Sequence, residues 1–180
     1  ERLDQLTNRM TGLLDQIVAC QEAMAAIEKQ LADIAKLDTR CQRLMAASGV
    51  GLITATALSA GIGDFARFPS GRHFASALGL TPREYSSGGT RKLGRITKQG
   101  DAFLRTLLIH GARSVIASVL RQDHPAPRWR WLLELIKRRG VNVAAVALAN
   151  KNARTAWALL AHERSYDPNY RRERAQEAVA

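Results

Sequence analysis

From Leu3 onward the apolar positions fall at Leu3, Leu6, Met10, Leu13, Ile17, Cys20, Met24, Ile27, Leu31 and Ile34, in steps that alternate three and four. Nearly five heptads in one register predict a coiled-coil arm over residues 1–40, about 50 Å long at ~1.5 Å per residue. The mixture of Met and Cys with Leu and Ile fixes neither strand number nor orientation. The alternative is one long helix lying on its own domain. In both cases the arm packs or dimerises and carries no chemistry.

Beyond residue 40 the pattern shortens. LMAASGVGLITATALSAGIGDF, from Leu44 to Phe65, reads as a short helix, a Gly49-x-Gly51 turn and an Ala-rich helix. That is the outline of a helix-hairpin-helix, whose free turn amides and second-helix N-terminus face a phosphate; a plain helical hairpin with a glycine cap is the other reading. Ser70 to Leu80 predicts a short helix stopped near Gly79, and Thr81-Pro82 ends helical conformation. Asp101 is a suitable N-cap for a helix that turns Phe103, Leu104, Leu107, Leu108, Ala112, Val115 and Val119 to the core. After His124-Pro125-Ala126-Pro127 a helix runs from about Arg128 to Arg139, Gly140 closes it, and Val141 to Ala161 forms a last long helix. The expected fold class is all-α: the arm, a compact helical domain over 41–164, and a polar tail over 165–180 that reads as disordered.

Composition agrees. Apolar residues make up 46% and aromatics 6%, a balance that suits Ala/Leu-rich helices better than a β-sandwich. The net charge of +11 is unevenly placed: residues 1–40 hold five Lys/Arg against seven Asp/Glu, and the rest hold twenty-two against nine. A field of that sign calls for an anionic partner. No unbroken apolar run approaches the roughly 18 residues of a membrane span, so DNA is the expected partner and a membrane is not. Cys20, Cys41 and four histidines show no zinc spacing, which fits a reduced, cytoplasmic setting. The chain opens on Glu1 in mid-pattern and reads as a piece of something longer.

The stretch EYSSGGTRKLGRITKQG, Glu84 to Gly100, concentrates four cations, four glycines and two serines around one acid. Arg91, Lys92, Arg95 and Lys98 can pair with phosphate oxygens, while Gly88, Gly89 and Gly94 let the backbone come close. Arg83 and Arg105 are further candidates for backbone contact. Ser86 or Ser87 would stand against the phosphorus. No histidine lies nearby, so a Ser-His-Asp hydrolase is not expected; a serine hydroxyl here depends on charge neutralisation of the phosphodiester. A basic loop that merely touches DNA backbone accounts for the same residues. Trp129, Trp131 and Trp157, at helical spacing, read as core or interface anchors before base-stacking groups.

GLTPREYSSGGTRKLGRITKQGDAFLRTLLIHGA, with VAAVALANKNARTAWALL further on, resembles the C-terminal part of DEDD-type insertion-sequence transposases. These form the one-ten family of bridge-RNA-guided serine recombinases, and the likeness is closest to its eleven-eleven subgroup. It runs from about Leu44 to Ala161. The resemblance implies that Ser87, immediately before Gly88, attacks a DNA phosphodiester to form a phosphoserine link. It also implies that four acids of an N-terminal RuvC-like domain, missing from this chain, hold magnesium. A guide RNA and a homodimer or tetramer joined through the coiled coil complete the expected partners, in a bacterial, nucleoid-associated location. Two other classes share the residues: a non-catalytic helix-hairpin-helix module, and an assembly scaffold built on the heptads.

Overall fold

A computed structural model describes residues 1–90, 92–168 and 170. Helix α1, Arg2–Leu37, is the predicted arm. Residues 1–30 are exposed throughout, and Leu3, Leu6, Met10, Leu13, Ile17, Met24 and Ile27 present their side chains to solvent. The arm therefore does not lie on its own domain. Only its C-terminal end is packed, with Ala35 buried beside helices α2, Thr39–Met45, and α3, Leu52–Gly61.

Asp38 separates α1 from α2 in an extended conformation, and its carboxylate caps α2 by accepting from the Arg40 amide at 2.8 Å. The same carboxylate accepts from Ser59 Oγ at 2.6 Å and from the buried Cys41 thiol at 3.4 Å. These bonds, led by that from Ser59, hold the Asp38 carboxyl below the usual carboxylate range; burial, followed by the Asp38 carboxylate, pushes the Cys41 thiol up.

The remaining elements are α4 (Gly71–Ala77), strands β1 (Pro82–Glu84) and β2 (Leu93–Ile96), α5 (Ala102–Leu120), a single 3-10 turn (Pro127–Trp129), α6 (Arg130–Arg139) and α7 (Val141–Ala161). Helices α5 and α7 are the central pair, with α4 and α6 packed on α7 and α3 on α5. Alanine makes this possible. Ala144, Ala145, Ala149, Ala153 and Ala156 are all buried on α7, so neighbouring backbones approach closely. At Gly71 a Cβ would already press on the Arg154 backbone at 3.1 Å. Phe74, buried under Phe65 and Phe68 at centroid distances of 5.2 and 5.1 Å, fills the end of the core.

The fold is mostly helical, with one small two-stranded sheet that the all-α expectation did not include. The stripe on α5 also differs: Leu104, Leu108, Ala112, Ile116 and Val119 are buried, whereas Phe103 is 62% exposed and Leu107 and Val115 are half-buried. Steps of four residues overshoot a full turn by about 40°, so the buried stripe rotates along the helix. Residue 116 takes the place expected of 115.

By length and composition α5 is long and apolar enough to cross a membrane, although Arg105 and Arg113 break the run. One face of it, bearing Leu104, Leu108, Ala112, Ile116 and Val119, is packed, chiefly against α7. Towards the C-terminus Tyr166 packs against the core, and residues 169 and 171–180 of the expected tail lie outside the described residues.

Candidate nucleic-acid interface

The basic stretch after Pro82 is a β-hairpin. Pro82 pairs with Ile96 and Glu84 with Leu93, antiparallel, with a bulge on β2 between them. The Tyr85 amide donates to Lys92 O at 2.8 Å, and Ser87 bridges Thr90 across the tip, where the Thr90 amide donates to Ser87 O at 3.1 Å. Gly88 and Gly89 are the two central residues, with φ of +57° and +78°. Positive φ at both is the signature of a type I′ turn, which glycine adopts without a steric penalty. Gly94 lies under the Tyr85 ring, where a Cβ would come within 2.9 Å of Cε2.

The two serines differ. Ser86 Oγ donates to Glu84 Oε1 at 2.6 Å and accepts from the Lys92 amide at 3.3 Å, so it staples the strands together. Ser87 is exposed, and its hydroxyl makes no hydrogen bond among the described residues.

The feet of the hairpin are fixed by backbone contact. A Cβ on Gly100 would fall 1.8 Å from Ala77 O, and one on Gly79 2.3 Å from Gln99 O. Asn150 of α7 donates to Leu80 O at 3.1 Å. Arg105 reaches back to Leu78 O at 3.1 Å and to Gly100 O and Asp101 O at 3.5 and 3.4 Å. Arg83 spans the strands to Thr97 O at 3.3 Å. Two cations singled out for phosphate contact thus brace the hairpin itself. Lys92 is exposed, and Arg91 lies outside the described residues.

Arg95 and Lys98 have a further setting. Together with Arg113 of α5, Arg139 of α6 and Lys151 and Arg154 of α7, they line a groove of about 1100 Å³ between the hairpin and the helices. Among the described residues no Asp or Glu lines it, and apolar side chains such as Leu93, Val143 and Val146 share the lining. Burial, then the neighbouring Arg154 charge, pushes the Lys151 ammonium down; burial, then Arg72, does the same to Arg154. Lys151 Nζ sits 5.0 Å over the Trp131 ring. Neither α7 cation was a candidate from sequence; the neighbouring hairpin brings them into the groove.

Gly49 and Gly51 are not part of this groove. Gly49, at φ +86°, is pressed into the seam between α5 and α7: its carbonyl oxygen stands 1.9 Å from where a Gly111 Cβ would be, and Asn152 donates to Ser48 O at 3.0 Å. The need for glycine at position 49 is this helix contact. Gly51 is exposed at the start of α3 with nothing near a would-be Cβ. Trp129 is buried and Trp157 donates to Phe65 O and Phe68 O, so both are anchors. Among the described residues no three His, Cys, Asp or Glu side chains come together as a metal would require, so no ligand set for magnesium is found here.

Residues 41–126 match the family described as Transposase IS116/IS110/IS902. The match begins where α2 is under way, takes in the whole hairpin and α5, and stops before α6. Relatives of the same kind extend over more of the chain. A probable family 20 transposase of Pseudomonas aeruginosa is 48% identical over 87% of this chain. The transposase for insertion sequence element IS1111A of Coxiella burnetii is 41% identical over 89%, and that for IS1328 of Yersinia enterocolitica 39% identical over 76%. The chain spans 46%, 45% and 40% of these three proteins, less than half the length of each.

Proposed function

We propose that this chain is the serine-bearing, DNA-binding part of an IS110-type transposase, and that Ser87 is its nucleophile. What carries the reading is the contrast at the hairpin tip: Ser86 Oγ is engaged by Glu84 and the Lys92 amide, while the Ser87 hydroxyl is exposed on a tight glycine turn. In the step envisaged, Ser87 Oγ forms a bond to a DNA phosphorus as the bond from phosphorus to one strand's oxygen breaks. A phosphoserine link results; the serine proton passes to water and the departing oxygen leaves as a hydroxyl. Lys92, Arg95 and Lys98 offset phosphate charge, with Arg91 from the same stretch. Arg83 and Arg105 act through the hairpin they brace.

Magnesium, held by acids of a RuvC-like domain outside these residues, would supply further charge neutralisation at the phosphate. The exposed stripe on α1 joins copies into a dimer or tetramer, and a guide RNA completes the complex in the bacterial cytoplasm. The chain alone binds DNA without exchanging strands. A plain DNA-gripping module remains the competing reading, supported by the exposed Gly51 start of α3.

The two readings part at one substitution. In the full-length protein Ser87→Ala is expected to abolish strand exchange and leave DNA affinity within about twofold, while Ser86→Ala retains exchange. Exchange at the parental rate by Ser87→Ala would overturn the assignment.

A further inference from the structure

The groove between the hairpin and α7 carries two features that duplex DNA does not explain together. Among the described residues its lining carries six Lys/Arg and no acid. Lys151 and Arg154 are exposed on the same stretch of α7 and line the groove, and neither has an acidic partner among the described residues. Cations gathered without a counter-charge repel one another, and an anionic ligand relieves that repulsion. Beside these cations the lining is apolar: Leu93 is 49% and Val143 44% exposed, together with half-buried Ile96, Ile109 and Val146. Phosphates gain nothing from such a surface. A duplex turns its phosphates outward and hides its base faces, whereas an unpaired strand offers both chemistries side by side.

Lys98 adds an independent observation. It is one of two non-glycine residues with positive φ among the described residues, at +56°, pinned by its amide to Gly79 O at 3.1 Å. That conformation disfavours a side chain by about 1 kcal/mol or more, yet the position holds a lysine that lines the groove.

We infer that this groove receives a single unpaired nucleic-acid strand, with phosphates on Lys98, Lys151 and Arg154 and bases laid on Leu93, Val143 and Val146. Trp131 is not the stacking surface, because Lys151 already covers its ring; it positions Lys151. The inference rests on the nucleic-acid-binding half of the proposed function and is independent of Ser87.

Fluorescence anisotropy with the full chain tests it, using labelled 15-nucleotide single-stranded DNA, the same sequence as RNA, and the matching DNA duplex, at several salt concentrations. Both single strands are expected to bind at least tenfold more tightly than the duplex. Lys151→Ala with Arg154→Ala should weaken single-strand binding about tenfold and flatten its salt slope by about 1.4, two lost contacts at ~0.7 each. Leu93→Ser with Val143→Ser should weaken the single strands several-fold and leave the duplex unchanged; both positions are exposed, so this variant keeps the test open should the cation pair fail to fold. Duplex binding as tight as single-strand binding, or substitutions at Leu93 and Val143 without effect, would overturn the groove assignment while leaving DNA binding intact. Failure of all three probes to bind would sink both readings, and would leave an acidic protein segment as the occupant.

Discussion

Two sets of glycines divide the molecule. At the seam and the hairpin feet, Gly49, Gly79, Gly100 and Gly111 lie where backbone meets backbone, and a Cβ on any of them would collide. At the hairpin tip, Gly88 and Gly89 have nothing within 4 Å of a would-be Cβ. The same residue type therefore serves close packing in one region and turn conformation in the other. The hairpin is rooted at its feet and free at its end.

Substitutions that distinguish the two sets would break or sharpen this comparison. The largest effect is expected at Gly111→Ala, whose methyl would press on Gly49 O; stability should fall by about 3 kcal/mol or more, read as a lowered midpoint or a lost cooperative transition in thermal melting. A parental melt would mean the seam can spread. Next is the joint between arm and domain. Asp38→Ala removes a helix cap and the acceptor of Ser59 and should cost about 1–2 kcal/mol. Because the folded carboxyl is held below its ordinary value of 3.8, its contribution is complete above that pH and is lost as pH falls through 3.8 toward the folded value. Acid titration of stability should accordingly be shallower below pH 3.8 in the variant; equal slopes would remove the carboxylate from the account. The smallest global effect is expected at the tip. Gly88→Ala or Gly89→Ala forces a side chain into positive φ at about 1 kcal/mol, confined to the hairpin: amide exchange at Tyr85 and Thr90 should quicken while the melting midpoint stays within a degree or two. A large drop in midpoint would show that the tip is coupled to the core.

The helices were legible because their signals are local: the heptad steps of α1, Asp101 as the cap of α5, Gly140 between α6 and α7. The hairpin was not, although Gly88-Gly89 is a two-residue turn signal. Its flanking segments lack alternating apolar residues, since most of the hairpin faces solvent, and the cations drew the reading toward a phosphate loop. Gly49 misled in the opposite direction. A Gly-x-Gly turn before a helix looks the same whether it admits a phosphate or a neighbouring helix, and only the position of Gly111, 62 residues away in sequence, decides what lies against it here. The groove was illegible for the same reason: Lys98, Arg113 and Lys151 belong to three separate segments that converge only through the fold.

Asp38 has one more consequence. The arm is joined to the domain at Asp38 and packed only at its C-terminal end, and at ~1.5 Å per residue its free end lies about 54 Å from that joint. A turn of roughly 10° there sweeps the tip through about 9 Å, so two copies gripping each other by their arms would convert slight bending at Asp38 into a large change in how far apart their hairpins stand.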